Sequence, residues 1–244
     1  MIKKILFKNI IFSNFNYRNF NKIIKKKGLY LFPSGPGLAT INKEYEYHKS
    51  LVNADFVFFD SGYFVFLLKI LKKITVEKFS GFLFIKLFFN FLSKNFKTKI
   101  ISVDPNSILS KSNYNYILNL GLKEKNLINY IAPKYKKKKI EDKKLLKIIN
   151  KTNPDFVLIN IGGNVQEILG NYLKINAKKK TRIICTGAAI SFFTGDQAPI
   201  NQLLDKFFLG WLIRILYNPK IFLLRYLKTF KLFFIVLSEK IIVK

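Results

Sequence analysis

Carboxylates are scarce in this chain, 14 against 43 lysines and arginines, so one standing at the end of an apolar run is informative. Asp60 is such a residue. It follows Phe56 to Phe59 and precedes Ser61-Gly62, a small, permissive turn that would let a substrate hydroxyl come within hydrogen-bond reach of the carboxylate. The pattern fits a general base and a turn-capping aspartate equally well. Asp104 also ends an apolar run, but Pro105-Asn106-Ser107 follow it, which predicts a turn or helix-cap residue. Asp55 precedes its run and belongs to the opposite edge.

Two glycine-bearing segments could meet a phosphate or a sugar. Ser34-Gly-Pro-Gly-Leu-Ala-Thr40 feeds a helix and can present backbone N–H groups to an anion, although it is neither a Walker loop nor GxGxxG. Gly162-Gly163-Asn164-Val165-Gln166-Glu167 opens another helix and puts Gln166 in its first turn, as a nucleotide or sugar contact or as a cap. With one histidine, His48, and one cysteine, Cys185, there is no Ser/His/Asp set, no internal disulfide and no usual zinc site of three or four His/Cys ligands. Cys185, inside an apolar run, reads as core and not as a nucleophile, and a reducing cytosol fits.

The elements that must position these residues are legible in outline. Short apolar runs over Gly28 to Pro33, Phe56 to Asp60, Ile100 to Asp104, Phe156 to Ile161 and Arg182 to Thr186 have the look of buried strands. Segments with helical spacing, Tyr63 to Lys73, Ser107 to Leu120 and Val165 to Ile175, separate them. That alternation predicts an α/β fold, a Rossmann-like, mostly parallel sheet with helices on both faces. Ligands of such sheets bind beyond the carboxyl ends of the strands, which is where the loops 34–40, 60–62, 162–166 and 187–189 would lie. The stretch 134–144, nearly all lysine, reads as a solvated loop entering a helix.

At 244 residues the chain suits one α/β domain, taken as 1–195, with an appendage over 196–244. In the appendage, apolar residues mix with Arg214, Lys220, Arg225, Lys228 and Lys231 at helical spacing, the pattern of interfacial helices. The most apolar stretches, Phe82 to Leu92 and Ile221 to Leu237, are interrupted by cations and fall short of the ~20 apolar residues of a spanning helix. The start, Met1 to Ile11, lacks a cleavage site and reads as a first strand. A formal charge of +29 attracts anionic lipid or phosphate, though part of it follows from a Lys, Ile, Asn, Phe and Tyr usage that AT-rich codons favour. The competing class is a non-catalytic basic protein on anionic membrane or nucleic acid, but no nucleic-acid motif supports nucleic-acid binding.

The order and spacing of these motifs resemble the WecG/TagA/CpsF glycosyltransferases. The likeness rests on Thr40-Ile41-Asn42, Asp60-Ser61-Gly62 with one serine inserted into the family's Asp-Gly pair, Gly162 to Gln166-Glu167, and Gly187-Ala-Ala through Gly195. It continues through Ala198-Pro199, Trp211-Leu-Ile-Arg214, Pro219-Lys220 and Arg225-Tyr226-Leu227. The resemblance implies an inverting transferase that needs no metal or other cofactor, a UDP-sugar donor and a polyprenyl-diphosphate-linked amino-sugar acceptor. It also implies a place at the inner face of the cell membrane, with homo-oligomers a further expectation. It gives Asp60 the role of base, makes Thr40, Asn42, Gly62, Gly162 and Gln166 substrate contacts, and has Arg214 and Arg225 stabilise departing UDP. Departures from the family pattern are Gln197 for Arg, Gly210 for Glu, Asn164 for Pro, Ser191 for Asp, Lys78 for Arg and Leu83 for Asp. They point to an altered donor site, since Lys and Gln do not reproduce an Arg fork, or else to a degenerate member kept for partner binding.

Overall fold

A computed structural model describes residues 3–136, 140–197 and 210–244. Among the described residues, nine strands form one mixed sheet in the order β6-β5-β7-β8-β3-β4-β2-β1-β9. The strands are β1 Lys4–Phe7, β2 Ile10–Ser13, β3 Gly28–Leu31, β4 Phe56–Val57, β5 Ile100–Asp104, β6 Leu127–Ile131, β7 Phe156–Ile159, β8 Arg182–Cys185 and β9 Ile242–Val243. Every pairing from β6 to β2 is parallel; β1 pairs antiparallel with β2 on one side and β9 on the other. The parallel α/β architecture expected from the alternating pattern is therefore present.

Among the described residues the α-helices are α1 Phe20–Ile23, α2 Gly35–Leu38, α3 Tyr45–Val52, α4 Gly62–Lys72, α5 Gly81–Leu92, α6 Ser107–Asn119, α7 Lys143–Thr152, α8 Val165–Asn176 and α9 Ser191–Thr194, followed by α10 Gly210–Tyr217, α11 Pro219–Leu227 and α12 Lys231–Ser238. Strand residues alternate between two cores because successive side chains leave a strand on opposite faces. Leu29, Leu31, Val157, Ile159, Ile183 and Cys185 join the core under α3, α4, α7, α8 and α12. Tyr30, Phe32, Phe156, Leu158 and Ile184 join a phenylalanine-rich core under α5 and α6. Helices on both faces follow.

Four features go beyond the sequence reading. The amino terminus is a hairpin and not a single strand: Lys8 and Asn9, both at positive φ, make the two-residue turn that matches strand twist. Strand β6 and the short β9 were not foreseen. The run Phe56 to Asp60 forms only a two-residue strand, β4, although Phe58 N–H still donates to Leu31 O beyond it. Finally, the chain's last segment enters the main body: Leu232 and Val236 of α12 are fully buried, and β9 extends the sheet beside β1. Among the described residues no helix is long and apolar enough to cross a membrane.

Candidate active site

The loops that leave β3, β4, β7 and β8 at their carboxyl ends touch one another in a closed circuit. Asp60, half-buried just past β4, accepts a 2.8 Å hydrogen bond from the Gly81 N–H through Oδ1. Gly81 is the first residue of α5, whose N-cap Ser80 accepts from Leu83 N–H. The carboxylate thus sits at the positive end of a helix dipole, where a negative charge is favoured. Asp60 is followed at once by Ser61, whose hydroxyl caps α4 by accepting from Phe64 N–H.

From Ser61 the circuit passes to the loop after β3. A Cβ on Gly35 would lie 2.9 Å from Ser61 Oγ and 3.0 Å from Thr229 Cγ2, so only a glycine lets these three segments meet. Ser34 caps α2 through Gly37 N–H at 3.3 Å. Thr40 donates to Gly37 O at 2.9 Å and accepts at 3.2 Å from Asn164 Nδ2, which joins the β3 loop to the β7 loop. Asn164 holds φ +70°, a value closed to the proline that the family pattern has here.

Gln166, buried at 4 % exposure, closes the circuit. Its Oε1 accepts from Gly187 N–H at 2.7 Å and its Nε2 donates to Glu167 Oε1 at 3.1 Å. Gly187 has φ +61°, a conformation that L side chains rarely adopt, so glycine and glutamine together shape the turn after β8. Thr186, one residue earlier, lies 3.4 Å from where a Gly81 Cβ would stand, which returns the circuit to Asp60. The four segments named in advance are thus the four that assemble.

The remaining candidates fall into place around this ring. Asn42 is exposed in the turn between α2 and α3, and Gly162 is exposed with open space beside it. Gly62 is the first residue of α4. Helix α11, which carries Arg225, packs beside α2, and α10, which carries Arg214, packs on α11; the side chains of Arg214 and Arg225 lie outside the described residues, as do Ala198 and Pro199.

Asp104 proves to be neither cap nor base: Asn106 caps α6, while Asp104 is wholly buried. Its Oδ1 accepts from Ser102 at 3.0 Å, Asn113 at 2.6 Å and Asn160 at 2.9 Å. Burial nevertheless pushes its carboxyl above the ordinary range, against those donors. Asp55 lies at the amino edge, where it accepts from Leu29 N–H and pairs with Lys174 at 2.8 Å. Cys185 is fully buried and its thiol is pushed up by desolvation, then by Glu167, which removes it from nucleophilic chemistry.

The sequence reading missed Asn164 as the tie between two loops and Thr229 as a neighbour of Gly35. The unusual Asn in place of Pro was the available signal for the first; nothing local signalled the second. A cavity of about 420 Å³ lies at the opposite, amino edge, lined by Lys25, Lys94, Phe96 and Arg182 among others. It contains none of the motif residues.

The sequence profile described as glycosyl transferase WecG/TagA/CpsF family matches residues 5–244. The chain belongs to that family. No curated protein matches it significantly. It is thus a glycosyltransferase, acting on a sugar donor and an acceptor, and the ring around Asp60 is its candidate active site.

Proposed function

We propose that this transferase moves an N-acetylmannosamine-type or related sugar from a UDP-sugar to a polyprenyl-diphosphate-linked amino-sugar acceptor, with inversion and without a metal, in cell-surface polysaccharide synthesis. What carries the reading is that Asp60, the carboxylate matching the family's Asp-Gly motif, stands where the loops after β3, β4, β7 and β8 converge. In the reaction, the acceptor hydroxyl oxygen attacks the anomeric carbon from the face opposite UDP. Its proton passes to Asp60, and the bond to UDP breaks with the electron pair leaving on the diphosphate. Arg214 and Arg225, carried on α10 and α11, supply the positive charge that this leaving group needs. Thr40 and Asn42 position the sugar from the β3 side. Gln166 acts on the donor through the Gly187 turn that it holds, with Gly162 leaving room and Gly62 starting the helix behind the base.

The enzyme works at the inner surface of the cell membrane, a reading supported by the +29 formal charge and by the lysines and exposed apolar residues of 210–238. A thermal-shift screen over UDP-sugars, followed by transfer to a lipid-linked amino-sugar acceptor, tests the reading. A raised melting temperature with at least one donor and transfer that Asp60→Asn abolishes are expected. Undiminished turnover by Asp60→Asn would overturn it.

A further inference from the structure

The basic, aromatic tail is one element with an exposed apolar side. A second element has such a side as well. Helix α4 starts two residues after Asp60 and buries Phe64, Val65, Leu67 and Leu68. Its other side exposes Phe66 and Ile70, at 54 % and 59 %, with the exposed Lys69 and Lys73. Phe66, Lys69 and Ile70 are spaced i, i+3 and i+4 and occupy one helix face, and Lys73 follows as the left-handed cap of the helix.

Alongside runs α12, anchored by the fully buried Leu232 and Val236. Its outer side, together with Phe230 just before it, exposes Phe230, Phe234 and Leu237, at 62 %, 67 % and 51 %, with Lys228 and Lys231 exposed beside them. Two contacts set the helices side by side in the same direction. The Tyr63 ring meets Phe230 at 6.1 Å near one end, and Lys72 Nζ donates to Leu237 O at 3.0 Å near the other. Tyr63, Phe66 and Ile70 share a face of α4, and Phe230, Phe234 and Leu237 a face of the tail, so the Tyr63–Phe230 contact joins the two stripes.

We infer that α4 and α12 form a single docking face for an anionic lipid bilayer, with the active site at its Tyr63/Phe230 end; the inference rests on the membrane location proposed above. Charge selects the occupant. No Asp or Glu occurs in 62–73 or 228–238, while lysines border the aromatic and aliphatic side chains. Their stems can lie on acyl chains as their ammonium groups reach headgroup phosphates. Position supplies the purpose: Thr229, next to Phe230, packs against Gly35 beside Ser61, so the face ends at the wall of the candidate active site. An acceptor held by its lipid in such a bilayer would present its sugar close to Asp60.

Vesicle co-sedimentation of the full chain tests this, using three parts phosphatidylcholine to one part phosphatidylglycerol and, in parallel, phosphatidylcholine alone. Phe66→Ser/Ile70→Ser on α4 and Phe234→Ser/Leu237→Ser on α12 are each expected to weaken binding to the anionic vesicles by roughly tenfold or more. Binding to neutral vesicles should be weaker throughout. Circular dichroism and melting temperature should stay at the parent's values because these side chains are exposed. Transfer to a short-chain, water-soluble acceptor should also be unchanged, so a failure of the docking face is distinguishable from a failure of the catalytic proposal. Parent-level anionic-vesicle binding by the α4 pair would overturn the inference. So would self-association through these residues without vesicle binding.

Discussion

The two edges of the same sheet make opposite use of the same chain. At the carboxyl edge, loops rich in glycine and small polar residues are tied by short hydrogen bonds into a ring: Asp60 to Gly81, Gln166 to Gly187, Asn164 to Thr40. At the amino edge, a cavity is bordered by Lys25, Lys94, Lys97 and Arg182 around Asp155, and Arg182 lies over Phe156 at 5.0 Å. The amino edge has a cavity ringed with cations; the carboxyl edge has preorganised geometry and the family's motif residues. In a protein this basic, density of lysine is a poor guide to chemistry, whereas a backbone built so that four loops can touch is a good one.

The most severe break in that contrast is Asp60→Asn. It keeps the shape and should lower kcat/KM for transfer by about 10²- to 10⁴-fold, the range for a lost general base, with little change in melting temperature. Next comes Gly37→Ala. Its Cβ would stand 2.6 Å from Tyr47 Oη and 3.2 Å from Asn164 Oδ1, and Tyr47 is buried with little room to move. A loss of about 1–3 kcal/mol in a denaturation curve is expected, with transfer reduced at least tenfold.

Asn164→Gly removes the tie to Thr40 and leaves the positive-φ backbone free of strain. A rise in donor KM of about tenfold, with stability lowered by about 1 kcal/mol, would show that the tie positions the loop and does not carry the chemistry. At the amino edge, Lys94→Ala/Lys97→Ala should change kcat/KM less than about twofold and stability by no more than about 0.5 kcal/mol; a collapse of transfer there would reverse the comparison. Smallest of all is the effect expected from thiol reagents at pH 8. Cys185 is buried with its thiol pushed up, so the native enzyme should remain unlabelled and fully active over the time in which the unfolded chain reacts.

Much of this arrangement was readable in advance. The apolar runs at 28–33, 100–104, 156–161 and 182–186 became β3, β5, β7 and β8 because each is buried on both faces and needs no alternation to declare itself. The helices at 63–73, 107–120 and 165–175 followed from their spacing. Strand β6 escaped notice because Asn129 interrupts its apolar run, and that amide is accommodated only by Ser110 of the neighbouring helix, to which it donates at 2.9 Å. Asp104 resembled a cap from its neighbours Pro105 and Asn106. Its burial among Ser102, Asn113 and Asn160 depends on residues up to 56 positions away.

Residue order alone determined the alternation of strand and helix, and hence which loops would gather at the carboxyl edge, since right-handed parallel crossovers leave little choice. It also determined which carboxylate could stand there. Tertiary packing decided the rest: that Gly35 lets Ser61 and Thr229 meet, that Asn164 reaches Thr40 across 124 residues, and that Leu232 and Val236 bind the end of the chain to α4. Periodicity records which side of an element is apolar, but only packing shows which distant element covers that side and which apolar residues remain exposed.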